Sequence, residues 1–334
     1  MKIRILFIAL VLTLFSCKKA ETINSYLTDT TAGIKIGQVQ MITIETPKGK
    51  FKVWTKRYGN NPKIKLLLLN GGPGMSHEYF ECMESFLPKE GIEFIYYDQL
   101  GTGYSENPKD TTMWDLPRYV EEVEQVRKAL KLDNSNFYLL GHSWGGILGM
   151  QYALKYQNNL KGLIISNMMA SCPKYGEYSK ILEKQMNPEV LKTIKDLETN
   201  KDFSNTKYME LLMNNFYNQH ILRLPVKDWP EPVNRAFSRL NSSLYITMQG
   251  PSELGISGKL TNWDVSKELK KITVPTLVIG AKHDTMDPEY MKWMATQVKN
   301  GTYLYCANGS HMSLYDDQQT YMNGLIDFLK KGNN

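Results

Sequence analysis

The segment Gly141-His142-Ser143-Trp144-Gly145-Gly146 constrains this chain more than any other. It follows the apolar run Phe137-Tyr138-Leu139-Leu140 and precedes a helix-like stretch from Ile147 to Tyr156. Strand, sharp turn and helix therefore meet at a serine. Glycines two before and two after Ser143 let the backbone turn tightly and lift the hydroxyl clear of the sheet, the geometry of a nucleophile elbow. A serine in a glycine-rich surface turn would need no buried apolar strand feeding into it.

The rest of the sequence supplies a sheet for that elbow. Lys65 to Leu69, Ile92 to Tyr97, Leu163 to Ser166 and Thr276 to Ile279 are short apolar runs, as expected of strands buried on both faces. Helical patterns separate them, so the expected fold class is α/β, with a mostly parallel central sheet covered by helices on both faces. Before these runs, Ile34 to Glu45 and Phe51 to Tyr58 alternate apolar and polar residues around the turn Pro47-Lys48-Gly49-Lys50, which reads as two paired strands. Val120, Val123, Val126 and Leu130 recur at helical spacing, with Glu121, Glu122, Glu124 and Arg127 assigned to the outer face.

The alternation stops after Ser166. Helical stretches follow, Ile181 to Leu197 and Lys207 to Phe216 among them, then a Pro- and Trp-bearing segment from Leu224 to Pro232. Residues 171–262 are therefore read as a helical cap inserted between two parts of the α/β core, 32–170 and 263–334. Its methionines and aromatics are expected to pack the cap and line a pocket rather than to hold a cofactor. Ligands of open parallel sheets bind at the carboxyl ends of the strands, which is where the elbow lies.

A serine nucleophile needs a base and a group that orients the base. In chain order the acid is expected after the cap and the histidine last. Asp284 follows the strand Thr276 to Ile279 through Gly280-Ala281-Lys282-His283, and His311 sits in Gly309-Ser310-His311-Met312 before the last helix, Thr320 to Lys330. Asp287 competes for the role of acid, but its place before Pro288 suits a helix cap. Of the five histidines, His77 lies in an early loop, His142 flanks the nucleophile with its ring expected to point elsewhere, His220 is in the cap and His283 adjoins the acid; each of these four is expected to pack or to line a pocket. Acyl transfer also needs donors for the developing oxyanion. The backbone N–H of Trp144 is one, and Gly72 in Asn70-Gly71-Gly72-Pro73-Gly74 is the natural second.

Lys2 and Arg4 precede an apolar stretch from Ile5 to Phe15, too short to span a bilayer comfortably, and Leu14-Phe15-Ser16-Cys17 follows. That tetrapeptide resembles the lipobox of bacterial lipoproteins, which implies that residues 1–17 form a lipoprotein signal with Cys17 as the lipidated residue, and 18–31 read as a polar tether. That places the protein in a bacterial cell envelope, anchored to a membrane by lipid. A plain secretory signal or an uncleaved anchor fits the same stretch. Without residues 1–17 the basic count falls from 40 to 38 against 34 acidic groups, a spread net charge of +4 that gives no footing for nucleic acid. Cys82, Cys172 and Cys306 have no metal-ligand spacing; one bridge is compatible with an oxidising compartment, and its pairing is open. Neither a metal nor an organic cofactor is implied.

Asn70 to His77, Asp98 to Pro108, Gly141 to Gly146, Gly250 to Leu254, Gly280 to Asp284 and Gly309 to Met312 together resemble the prolyl aminopeptidases, or proline iminopeptidases, of the α/β-hydrolase fold, including the archaeal tricorn-interacting aminopeptidase. The likeness runs from about residue 38 to 330 and is strongest over 70–166. It implies a serine aminopeptidase that releases an N-terminal residue, most often proline, from short peptides through an acyl-enzyme. It further implies that Glu253 in Gly250-Pro251-Ser252-Glu253 binds the free amine. Two positions depart from the family pattern: Asn70 stands where the oxyanion loop usually begins with histidine, and Thr285 stands where a second clamp glutamate follows the catalytic aspartate. An amino-acid amidase or esterase with the same triad, and a non-catalytic peptide-binding lipoprotein, are the alternative readings.

Overall fold

The computed structural model describes residues 33–332, so Cys17, the signal-like segment and the tether lie outside the described residues. Strands β1 (Gly33–Thr46) and β2 (Gly49–Asn60) form an antiparallel hairpin, with Gly49 at φ +111° in the turn. Their alternation points Ile42, Ile44 and Val53 into the core while Met41 is exposed. Next come β3 (Lys65–Leu69), β4 (Glu93–Asp98), β5 (Phe137–His142), β6 (Gly162–Ser166), β7 (Thr276–Ala281) and β8 (Gly301–Cys306). All eight belong to one sheet in the order β1-β2-β4-β3-β5-β6-β7-β8. From β4 onward every pairing is parallel, while β2 joins β4 antiparallel. Strand β5, with the elbow at its end, is central and buried along its whole length. Burying a Leu or Ile side chain is worth about 1.5–3 kcal/mol, so the continuous runs in β3, β5 and β6 hold these strands inside against any exposed alternative.

Helix α1 (Leu116–Ala129) turns Val120, Val123 and Val126 to the sheet, as its periodicity predicts. Its carboxylates correct the expected outer face, because Glu122 and Glu124 are buried along with the valines. Burial of a carboxylate costs several kcal/mol unless it is paired, and both are paired. Glu122 accepts from Arg118, from the Tyr97 hydroxyl and, at 2.8 Å, from the Leu100 N–H; Glu124 accepts from Arg127 Nε at 2.7 Å and the Tyr152 hydroxyl at 2.9 Å. Glu122 thereby fixes the loop leaving β4. Between β3 and β4 the chain forms 3₁₀ turns, His77–Ser85 and Pro88–Glu90, where an α-helical pattern was expected.

Helix α2 (Trp144–Tyr156) leaves the elbow, and between β6 and β7 the described chain forms helices joined by turns, with no strand of the sheet among them. The stretch expected from Ile181 to Leu197 is two helices, α3 (Cys172–Glu183) and α4 (Pro188–Thr199). The break falls at Asn187-Pro188, where proline cannot continue a helix and the Asn187 side chain caps the next one through the Glu189 and Val190 N–H groups. Then come α5 (Thr206–Leu212), running into a π-type turn over Met213–Tyr217, α6 (Glu231–Ser238) and α7 (Ser242–Met248). The helical segment is tied shut at its base. Ser171 bridges Asp264, Cys172 N–H donates to Trp263 O at 2.8 Å, and Val265 N–H to Ala170 O at 2.9 Å. The chain then returns to β7, α8 (Pro288–Gln297), β8 and α9 (Gln318–Lys331). Cys82, Cys172 and Cys306 are all free thiols.

Candidate active site

Ser143 stands between β5 and α2 with φ +56° and ψ −127°, a conformation that non-glycine residues adopt only where surrounding structure enforces it. The enforcement comes from close approach. A Cβ on Gly141 would lie 1.9 Å from the Gly145 carbonyl oxygen, and one on Gly145 would lie 2.1 Å from that of Leu69. The Ser143 N–H is held by Ser166 O at 3.0 Å.

Asp284 follows β7 and is fully buried, with four donors on its two oxygens. Oδ1 accepts from His311 Nδ1 at 2.7 Å, the Met286 N–H at 3.1 Å and the Thr285 hydroxyl at 3.3 Å; Oδ2 accepts from Asn167 Nδ2 at 2.7 Å. Burial works against charging the His311 ring, but the Asp284 carboxylate, with Glu253 and Asp316 behind it, outweighs that and holds the ring's pKa above 6.5. Asp287 is the N-cap of α8, accepting the Glu289 N–H at 2.9 Å. Residues of the helical segment between β6 and β7 hold the backbone of the loops that carry His311 and Asp284. His311 N–H donates to His220 O at 2.9 Å, Met312 N–H to Ile221 O at 2.8 Å, and the His220 ring Nδ1 to His283 O at 2.9 Å.

The loop after β3 runs over the nucleophile, since a Cβ on Gly71 would be 2.9 Å from Ser143 Cβ. Asn70 anchors it: its Nδ2 donates to Met75 O, and Gln99 Nε2 reaches its Oδ1 and carbonyl oxygen at 3.1 Å each. Gln99 Oε1 also accepts the Trp144 indole N–H at 2.8 Å, tying the loop to the first residue of α2. The Gly71 N–H is occupied by the Tyr79 hydroxyl at 2.8 Å. Gly72, at φ +105°, follows it, and the Trp144 N–H lies in the first turn of α2, where helix N–H groups have no intrahelical acceptor.

Ser143, His311, Gly71, Gly72, His142 and Glu253 share one pocket whose remaining wall is mainly apolar. Glu253 is half-buried. Its Oε1 accepts the Tyr245 hydroxyl at 2.5 Å; the Tyr175 hydroxyl lies 2.9 Å from its carbonyl oxygen and 3.2 Å from Oε2; its own N–H donates to Tyr217 at 3.3 Å. Thr285, by contrast, is fully buried against Asp284 and faces the imidazole rather than the cap. Packing or pocket lining is the expectation for His142, and it lines the pocket. Its ring lies in the pocket wall, with Nε2 2.9 Å from His311 O.

Sequence reading missed Asn167, Gln99, Tyr79 and the three tyrosines around Glu253. Asn167 was open to inference, because it directly follows β6, which lies between the strands that carry Ser143 and Asp284. The others meet their partners 8 to 78 residues away, at separations that follow neither a helical nor a strand period, and so leave no local pattern. Among the described residues no cluster of His, Cys, Asp or Glu could hold a metal ion.

A family model for the alpha/beta hydrolase fold matches residues 65–318, and with the elbow and strand order it defines the class: an α/β-hydrolase. A proline iminopeptidase from Chitinophaga pinensis is 60% identical over 295 residues, covering 88% of this chain and 99% of that protein. The chain belongs to the proline iminopeptidase family. Among solved structures, VinJ superposes with a TM-score of 0.81 at 28% identity, covering 87% of this chain and 98% of its own. The proline iminopeptidase of Mycobacterium smegmatis does so with 0.76 at 26% identity, covering 88% and 98%.

Proposed function

We propose that the protein is a serine aminopeptidase that releases an N-terminal residue, most readily proline, from short peptides. The observation that carries this reading is Glu253, a half-buried carboxylate in the pocket of Ser143 and His311 whose side-chain oxygens are met by tyrosine hydroxyls. An N-terminal proline carries a protonated secondary amine. Such a cation entering a mainly apolar pocket loses its hydration and needs an opposite charge in return. Glu253 supplies that charge and sets how far the substrate enters, so that the first carbonyl lies over Ser143.

Ser143 Oγ then attacks that carbonyl and passes its proton to His311 Nε2, while Asp284 holds Nδ1–H and steadies the imidazolium. The Gly72 and Trp144 N–H groups receive the oxyanion. His311 gives the proton to the departing amine, and a water activated by the same ring hydrolyses the prolyl ester on Ser143. An amino-acid ester or amide would follow the same steps. The deciding experiment is a panel of prolyl, alanyl, N-acylprolyl and simple acyl-ester reporters. Turnover of free-amine prolyl substrates far above the rest is expected; equal turnover of N-acylprolyl substrates overturns the reading. Labelling of Ser143 by a fluorophosphonate excludes a silent binding protein.

We also propose that Cys17 carries the lipid anchor, on the strength of its position directly after the apolar run that ends at Phe15. The mature protein is then expected to sediment with membranes and Cys17→Ser to be released or left unprocessed. A mature terminus found downstream of Cys17 without lipid overturns it.

A further inference from the structure

Tyr79 and His142 stand between the loop over the nucleophile and the backbone of His311. Both are buried, at 1% and 2% exposure, and their rings pack against each other with centroids 5.3 Å apart. The contacts run in series: Gly71 N to Tyr79 Oη 2.8 Å, Tyr79 Oη to His142 Nδ1 3.2 Å, His142 Nε2 to His311 O 2.9 Å. The two ends fix every proton between them. A carbonyl oxygen can only accept, so Nε2 of His142 carries the hydrogen; a neutral ring has one, so Nδ1 is bare and accepts from the tyrosine hydroxyl. The same hydroxyl oxygen accepts the Gly71 N–H, which can only donate. Burial pushes the His142 pKa down to about 3 and that of Tyr79 well above 10.0, so neither ring changes its proton inventory in the working range.

We propose that Tyr79 and His142 are positioning residues that lock the oxyanion loop and the His311 loop into one rigid unit across the pocket floor. Gly71 is covalently joined to Gly72, so holding the Gly71 N–H aims the next N–H at the space above Ser143. Holding the His311 carbonyl from below complements the His220 carbonyl that takes its N–H. The chain therefore acts on the tetrahedral state, where donor position matters most, and little on ground-state binding. This inference rests on the roles proposed above for Ser143, His311 and Gly72.

Tyr79→Phe tests it, because the ring packing stays and only the hydroxyl is removed. The expected result is a kcat lower by about 10- to 30-fold with KM nearly unchanged. Affinity for a prolyl boronate, which forms a tetrahedral adduct on serine, should fall by the same factor, while affinity for free proline stays within twofold. His142→Gln, which keeps a donor within reach of the His311 carbonyl but loses the acceptor for Tyr79, should give a similar split and should not add to Tyr79→Phe in the double variant. Should Tyr79→Phe fail to fold by thermal melting, His142→Gln carries the test alone. Wild-type kcat, a loss not mirrored in boronate affinity, or additive losses overturn the proposal. Activity surviving Ser143→Ala would instead sink the reading of the site itself, so the two failures are distinguishable.

Discussion

Asp284 and Glu253 are two carboxylates of one active-site region held in opposite ways. Asp284 is wholly buried and satisfied by an imidazole, an amide, a hydroxyl and a backbone N–H. Its charge is matched internally by the ring it orients, and nothing from outside can reach it. Glu253 faces the cavity, and its oxygens receive phenolic hydroxyls, which are neutral donors. Hydrogen bonds of this kind fix the direction of a carboxylate while leaving its charge uncompensated. One acid thus completes a device made by the protein, and the other, in the function proposed above, receives a cation that the substrate brings.

The largest effect should come from the closed acid. Asp284→Asn is expected to lower kcat by about 10⁴-fold, because the amide no longer selects the His311 tautomer. In the parent enzyme kcat/KM should rise with pH through an acid limb above 6.5, since His311 acts only once its raised-pKa proton is lost. In Asp284→Asn that limb should move to lower pH, and a limb that stays in place breaks the assignment of Asp284 as the main partner.

Glu253→Gln should come next, with kcat/KM on free-amine prolyl substrates falling roughly 30-fold to several thousand-fold, the range for removing one partner of a desolvated charge pair. Esters without an amine should be almost unaffected; equal losses on both would make Glu253 a support of the cap. Tyr245→Phe, which removes one hydroxyl from Glu253, is expected to cost about tenfold on amine substrates alone. The smallest effect belongs to Asp287→Ala, which deletes the α8 cap. It should lower stability by about 1 kcal/mol in urea titration and leave kcat unchanged.

The two acids also differ in how far the sequence revealed them. Asp284 sits where a strand ends, after the run Thr276 to Ile279, and the local pattern of apolar residues, glycine and acid is enough to find it. The elbow, the parallel strands and the capping role of Asp287 are legible for the same reason, since their signals are contiguous. Glu253 carries no such signal, because its tyrosines come from α3, the turn after α5, and α7. Only the resemblance marks it. The expected helix from Ile181 to Leu197 fails on a local sign given too little weight, Asn187-Pro188. Glu122 fails for a different reason: a polar residue on an apolar face is read as exposed unless its buried partners, here Arg118 and Tyr97, are known.

The tie at the base of the helical insertion bears on how such enzymes diversify. Because Ala170 and Cys172 are hydrogen-bonded to Val265 and Trp263, the entropy of closing that long excursion is met at its mouth, and lengthening it further costs little: each doubling of a flexible loop adds only about 0.6 kcal/mol. The sheet beneath meets the same two docking strands of backbone whatever lies between them. Over evolutionary time, residues that select the substrate can be inserted, deleted or exchanged above the clasp while the elbow and its acid and base are inherited unchanged.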